Sequence, residues 1–239
     1  IYEDATALMM ALKGGSVDVC AHLTSAQTAQ LSDQFSILED TMNLVQAVYL
    51  NNAVEPFNNV KVRQAISYAI ARQMIMDVVF DGHGTAVGSS IYPKLERYFM
   101  PELVDYYEYD PAKAKELLAQ AGYPDGFDMT ITVSSNYQPH MDTAEVVVQQ
   151  LSAIGVRAKV QPVDATTWYS EAYTNRQFQS TITGLDAKNV TARAMLERFV
   201  SDNGKNFMNY NNPEYDALYH TALNATDEAT QTEAYKAME

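Results

Sequence analysis

Cysteine occurs once in the 239 residues, at Cys20, so no internal disulfide can form and no pair of thiolates can hold zinc. Histidine is nearly as scarce. His22, His83, His140 and His220 are scattered, without the His-x-x-x-His spacing that brings two imidazoles to one helix face. No Gly-x-Ser-x-Gly elbow presents a nucleophile. Gly82-His83-Gly84 lacks the lysine and glycine spacing of a phosphate loop and reads as a plain turn. These absences leave hydrolytic and metal-assisted chemistry without a recognisable site, and the chain reads as a non-enzyme that needs no cofactor. An apolar run of about 18 residues is also missing, so nothing in the sequence reads as a membrane span. Ile1-Tyr2-Glu3-Asp4 has neither the basic flank nor the apolar centre of a signal peptide. Positive charge is in short supply: the formal net charge of −14 argues against nucleic acid and against anionic lipid as partners, and reads as a solvated acidic exterior.

What is present is ample apolar material, 47% hydrophobic against 19% charged residues, enough for one good core or two small ones. Ala5, Leu8, Met9 and Leu12 recur at helical spacing up to Gly14-Gly15, and Val17 to Cys20 then reads as a short buried strand. A helix is expected over Ser25 to Gln34 and a strand over Met42 to Leu50. The Asn- and Pro-rich stretch Asn51 to Asn59 breaks the pattern, and a boundary falls there. From Val60 an apolar stripe (Val62, Ala65, Ile66, Ala69, Ile70, Met74) predicts one long amphipathic helix ending near Phe80. Asp110-Pro111 starts another helix, and Gly122 with Pro124 stops it.

The following stretch sets the fold class. Met129, Ile131 and Val133 alternate with threonines as a strand, Asp142 to Ile154 is helical up to Gly155, and Val156 to Val160 is a strand. Asp164 caps a short helix, and Phe178 to Thr183 is a further strand. Strand and helix in alternation predict an α/β lobe with a mixed, mainly parallel sheet flanked by helices. Thr191 to Val200, Asn212 to Ala225 and Asp227 to Met238 are the remaining helices.

Four strings carry a resemblance. They are the Ala5 to Val19 unit, the run Pro56-Phe57-Asn58-Asn59-Val60-Lys61-Val62-Arg63-Gln64-Ala65 on to Ala71-Arg72, the run Tyr109-Asp110-Pro111 through Gly122-Tyr123-Pro124-Asp125-Gly126-Phe127, and the turn Asn209-Tyr210-Asn211-Asn212-Pro213-Glu214-Tyr215-Asp216. In this order they resemble the oligopeptide/dipeptide/nickel-binding family of solute-binding proteins of ABC importers. The resemblance implies a periplasmic-binding-protein type II-like lobe, with residues 1–50 as a remnant of the first lobe ending at a hinge and 51–239 as the second. It implies capture of a small molecule or peptide by closure of two lobes, delivery to a membrane permease, and a monomer outside the cell membrane, periplasmic or lipid-anchored. The same scaffold binding an oligosaccharide or metal chelate, or serving as a receptor module, is the alternative.

The candidate site follows from the resemblance. Trp168, the only tryptophan, falls where peptide-binding members line their cleft; a core anchor is the other role open to it. Those members carry Gly-Trp-x-x-Asp, whose acid meets the ligand's α-amino group. Here the run is Gly184-Leu185-Asp186-Ala187-Lys188: Leu185 replaces the ring, Lys188 stands at the acidic position, and Arg193 follows five residues on. Like charge against an ammonium implies altered free-amine recognition, unless Asp186 substitutes through a shifted loop. Asn206, Asn209 and Tyr210 offer amides and a phenol, either to a ligand backbone or to their own loop. Tyr137 is expected at the C-terminal end of a parallel strand, the edge at which open α/β sheets bind ligands.

Overall fold

The computed structural model describes residues 5–21, 23–186 and 189–239. The chain opens with α1 (Ala5–Lys13) and the one-turn α2 (Ser25–Ala29), which pack Met9, Leu12 and Leu31 into a small cluster of their own. Val17 to Cys20 is not a strand, correcting the sequence reading: Val19 is 82% exposed and Cys20 only half-buried. The segment is only four residues long and includes Asp18, a type disfavoured in strands, and among the described residues no neighbouring strand bonds it. The helix expected up to Gln34 ends at Ala29, and tighter turns carry the chain on.

One sheet organises the rest. Strands β1 (Leu44–Leu50), β2 (Asp128–Ser134), β3 (Arg157–Val163) and β4 (Ser180–Asp186) lie in the order β1-β4-β2-β3. β2 runs parallel to β3 and to β4, and β1 lies antiparallel along the whole of β4 from Leu44↔Asp186 to Leu50↔Ser180. Met129, Ile131, Val133 and Ile182 therefore point to one face, where they meet Val62, Ala65, Leu118, Val147 and Leu151 of α3 (Val60–Tyr68), α5 (Pro111–Gln120) and α6 (Gln138–Ser152). This is the main core.

The stripe from Val60 forms two helices, α3 and then α4 (Arg72–Phe80), rather than the single helix expected. The cause is a side chain. Gln150 of α6 accepts from the Ala71 backbone N–H at 3.2 Å, in place of the Ser67 carbonyl a continuous helix would offer, and donates at 3.3 Å to the Ala71 carbonyl, which also takes the first bond of α4 from Ile75 N. By contrast, Asp110 caps α5 as its sequence predicts, accepting from Lys113 N at 2.8 Å, and Gly122 beyond the end adopts φ +91°. α6 begins four residues early, at Gln138, with Pro139 in its first turn. After β3 come α7 (Ala165–Thr167) and a π-helical segment, Trp168–Thr174. The helix expected over Thr191 to Val200 is the short α8 (Ala192–Leu196) followed by a 3-10 turn. Two longer helices, α9 (Pro213–Asn224) and α10 (Glu228–Met238), pack Tyr215, Tyr219, Ala222 and Tyr235 against α8 in a second cluster that reaches Val45 of β1.

Candidate functional site

Because β2, β3 and β4 are parallel, Ser134, Val163 and Asp186 all close their strands on one edge, and the antiparallel β1 brings Leu44 beside Asp186. Ligands of open α/β sheets lodge at this edge, in the crevice the following loops leave. Two loops are tied together there: Asn136 accepts from Ala165 N at 3.1 Å. Asp164 caps α7, accepting from Thr166 N and Thr167 N at 3.0 Å each and from the Thr167 hydroxyl at 2.6 Å. Those bonds, the Thr167 hydroxyl first, hold the Asp164 carboxyl below its ordinary range.

The sheet face turned away from the main core carries Thr132, Ser134 and Thr181. Across it lies Trp168, whose indole N–H donates to Thr181 Oγ1 at 2.9 Å; Thr181 in turn donates to the Thr132 carbonyl at 2.6 Å. The indole leans on Tyr173 and Phe207, with ring centroids at 6.1 and 6.3 Å, while Tyr169 stacks on Tyr173 at the exposed side. Ser134 is buried and its hydroxyl has no hydrogen-bond partner among the described residues. Tyr137, the residue before α6, is 59% exposed, its ring 5.3 Å from that of His140. Burial pushes the His140 imidazole below its ordinary value and keeps it neutral near pH 7.

Asp186 closes β4 with its side chain exposed and its carbonyl held by Arg198 Nη2 at 2.5 Å; by strand alternation it points away from the face that Trp168 covers at Thr181, near the start of the same strand. Leu185, next to it, packs inward against Tyr49, Phe178, Phe207 and Met208. Lys188 lies outside the described residues. The stretches 132–137, 163–168 and 183–186 contain no lysine or arginine, so carboxylates are the only charges those segments offer.

The other expected residues sit elsewhere. Arg193 belongs to the helical layer, bonded to Tyr219 and 3.5 Å from Glu197. Asn206 is buried and serves its own loop: it donates to the Val200 and Tyr210 carbonyls at 3.1 and 2.7 Å and accepts from Tyr210 N at 3.1 Å. Asn209, at φ +54°, accepts from Arg176 at 2.8 Å and donates to Asn51 at 2.9 Å, at the opposite edge of the sheet. Tyr210 lines a cavity of about 330 Å³ beside the far end of β1, with Leu50, Phe199, Met238 and Glu239. Burial raises the Glu239 carboxyl there to about 7. The strand hydroxyls of Thr132, Ser134 and Thr181 were not singled out from sequence, although the Thr and Ser alternation in both strands was visible. Among the described residues no cluster of His, Cys, Asp or Glu could hold a metal ion.

Comparison with known proteins gives this geometry its family. The model of bacterial extracellular solute-binding proteins, family 5, matches residues 1–207. Heme-binding protein A of Haemophilus influenzae is 31% identical over 99% of this chain and 44% of its own length. Glutathione-binding protein GsiB of Salmonella typhimurium is 34% identical over 79% of this chain and 38% of its own length. A dipeptide binding protein from Pseudoalteromonas sp. SM9913, solved with Met-Leu, matches with a TM-score of 0.85 at 29% identity, covering 100% of this chain and 48% of its own. The chain spans less than half the length of these relatives. No helix among the described residues is long and apolar enough to cross a membrane. The extent of the family match and of these identities is decisive: the chain belongs to the family 5 bacterial extracellular solute-binding proteins.

Proposed function

We propose that this protein is the substrate-binding component of an ABC importer, one that captures a short peptide outside the cell membrane and hands it unaltered to a membrane permease. The observation that carries this reading is the match to a solute-binding family over residues 1–207, in a chain whose parallel strands end on one edge and whose Trp168 is held on the sheet face by Thr181. A dipeptide-binding structure and a glutathione-binding relative support a peptide-sized solute.

In this reading residues 1–50 are a remnant of the first lobe, with β1 running from it into the sheet of the second lobe, 51–239. The two lobes close on the solute, and a solute that binds the closed form better shifts the equilibrium toward it. The protein acts as a monomer without catalysis, in the periplasm or on a lipid anchor, and nucleic acid is no partner. Trp168 forms a wall of the cleft and Tyr137 its flank. Asp186, which forms no ion pair among the described residues, is the acid available to the peptide's ammonium group; Lys188, two residues on, tunes that contact. Leu185, Asn206 and Asn209 hold the frame, while Arg193 and Tyr210 stand apart from the solute.

Calorimetric titration with Met-Leu and with N-acetyl-Met-Leu tests this. Acetylation is expected to weaken binding more than about tenfold, roughly 1.4 kcal/mol. Equal affinity for both would remove Asp186 from the ammonium role, and no binding of either peptide would contradict the peptide assignment.

A further inference from the structure

The indole of Trp168 is fixed by a buried relay rather than by packing alone. Tyr173 and Phe207 touch it at interplanar angles of 36° and 69°, contacts that restrict the ring without setting its rotation about the last side-chain torsion. The indole N–H has a single donor direction, and it meets Thr181 Oγ1 at 2.9 Å. The Thr181 proton is already committed to the Thr132 carbonyl at 2.6 Å, so that oxygen turns its lone pairs to the indole. Thr181 is fully buried and Thr132 nearly so, which makes each bond directional and costly to leave unmade. Trp168 also opens the π-helical segment, a wide turn that recurs at functional sites.

We propose that Thr181 is a positioning residue: through the Thr132 carbonyl, Thr181 hydroxyl and Trp168 indole in series, it sets the orientation of the cleft wall and so determines how well an apolar peptide side chain is accepted. The proposal deepens the peptide-binding reading and rests on it. The orientation itself does not depend on any solute.

Trp168 is the only tryptophan of the chain, so its indole N–H gives one cross-peak in a proton–nitrogen NMR spectrum. In Thr181→Val, which keeps the shape and removes the hydroxyl, that cross-peak shifts and its solvent exchange accelerates by about tenfold or more, as for a lost buried hydrogen bond. Thr181→Ser restores both. Affinity for Met-Leu falls about fivefold in Thr181→Val and recovers in Thr181→Ser, and adding Thr181→Val to Trp168→Ala costs nothing further if the two act as one unit. Unchanged indole exchange in Thr181→Val overturns the relay. The same loss of Met-Leu affinity with and without Trp168 overturns the positioning role. Should wild type bind no Met-Leu while the indole responds as stated, the peptide reading fails and the relay stands.

Discussion

At the scale of single residues, His140 and Asn206 illustrate two opposite uses of burial. His140 sits behind Tyr137, and losing water without gaining a charge partner lowers its imidazole pKa. The unfolded chain therefore binds a proton that the folded chain resists. The stability His140 contributes is fully present above the ordinary imidazole value and is lost as pH falls toward the depressed folded value. Urea melts between pH 7.5 and 5 are expected to show a decline that His140→Gln makes shallower; parallel curves would refute it. Asn206 instead satisfies three backbone groups of its loop. Asn206→Ala leaves them unpaired and is expected to cost about 2 kcal/mol in stability, with peptide affinity little changed in the molecules that remain folded. A large loss of affinity at wild-type stability would instead make Asn206 a ligand contact. The sequence offered both roles for this residue, because an amide's partners depend on which carbonyls the loop folds back to present.

At the scale of elements, the chemistry of helix ends was legible and the joints between elements were not. Asp110-Pro111 and Gly122 define α5 through bonds among neighbours in sequence, so local reading suffices. The break between α3 and α4 depends on Gln150, which lies 79 residues from Ala71, and no periodicity within the stripe announces it. Gln150→Leu strips both bonds from the Ala71 backbone and is expected to lower stability by about 2 kcal/mol, measured as a shift of the denaturant midpoint. A neutral outcome would mean that water or a rejoined helix takes up those groups. Likewise Val17 to Cys20 carried β-forming residues but had no strand to pair with, whereas Leu44 to Leu50 had β4. The turn at Gly126 is a tighter test of packing: with φ +73°, a Cβ there would lie 1.9 Å from the Gly155 carbonyl oxygen. Gly126→Ala is accordingly expected to destabilise the β2 and β3 pair by more than about 2 kcal/mol, and full retention of the melting temperature would contradict that geometry.

At the scale of the whole molecule, parallel pairing is what gathers the candidate site. Ser134, Val163 and Asp186 are separated in sequence, and they come to one edge because β2, β3 and β4 run parallel; Tyr137 follows at that edge, while Trp168 lies over the sheet face beside Thr181. Alternating strands and helices revealed that edge from sequence, which is why Tyr137 could be named; Trp168 was named from the family resemblance instead. The antiparallel β1 and the opposite-edge lock of Asn51, Arg176 and Asn209 were beyond its reach, since both depend on long-range pairing. Two places lie at opposite ends of the sheet: the C-terminal edge of the parallel strands, and the cavity beside the far end of β1 lined by Tyr210 and Glu239. The central claim is that solute enters the first. Hydrogen exchange followed by mass spectrometry, with and without Met-Leu, measures this directly. The account predicts added protection confined to residues 134–137, 164–169 and 184–189, with residues 48–52 and 208–215 unchanged. Protection appearing instead at 48–52 and 208–215 would contradict it and move the binding site to the opposite end of the sheet.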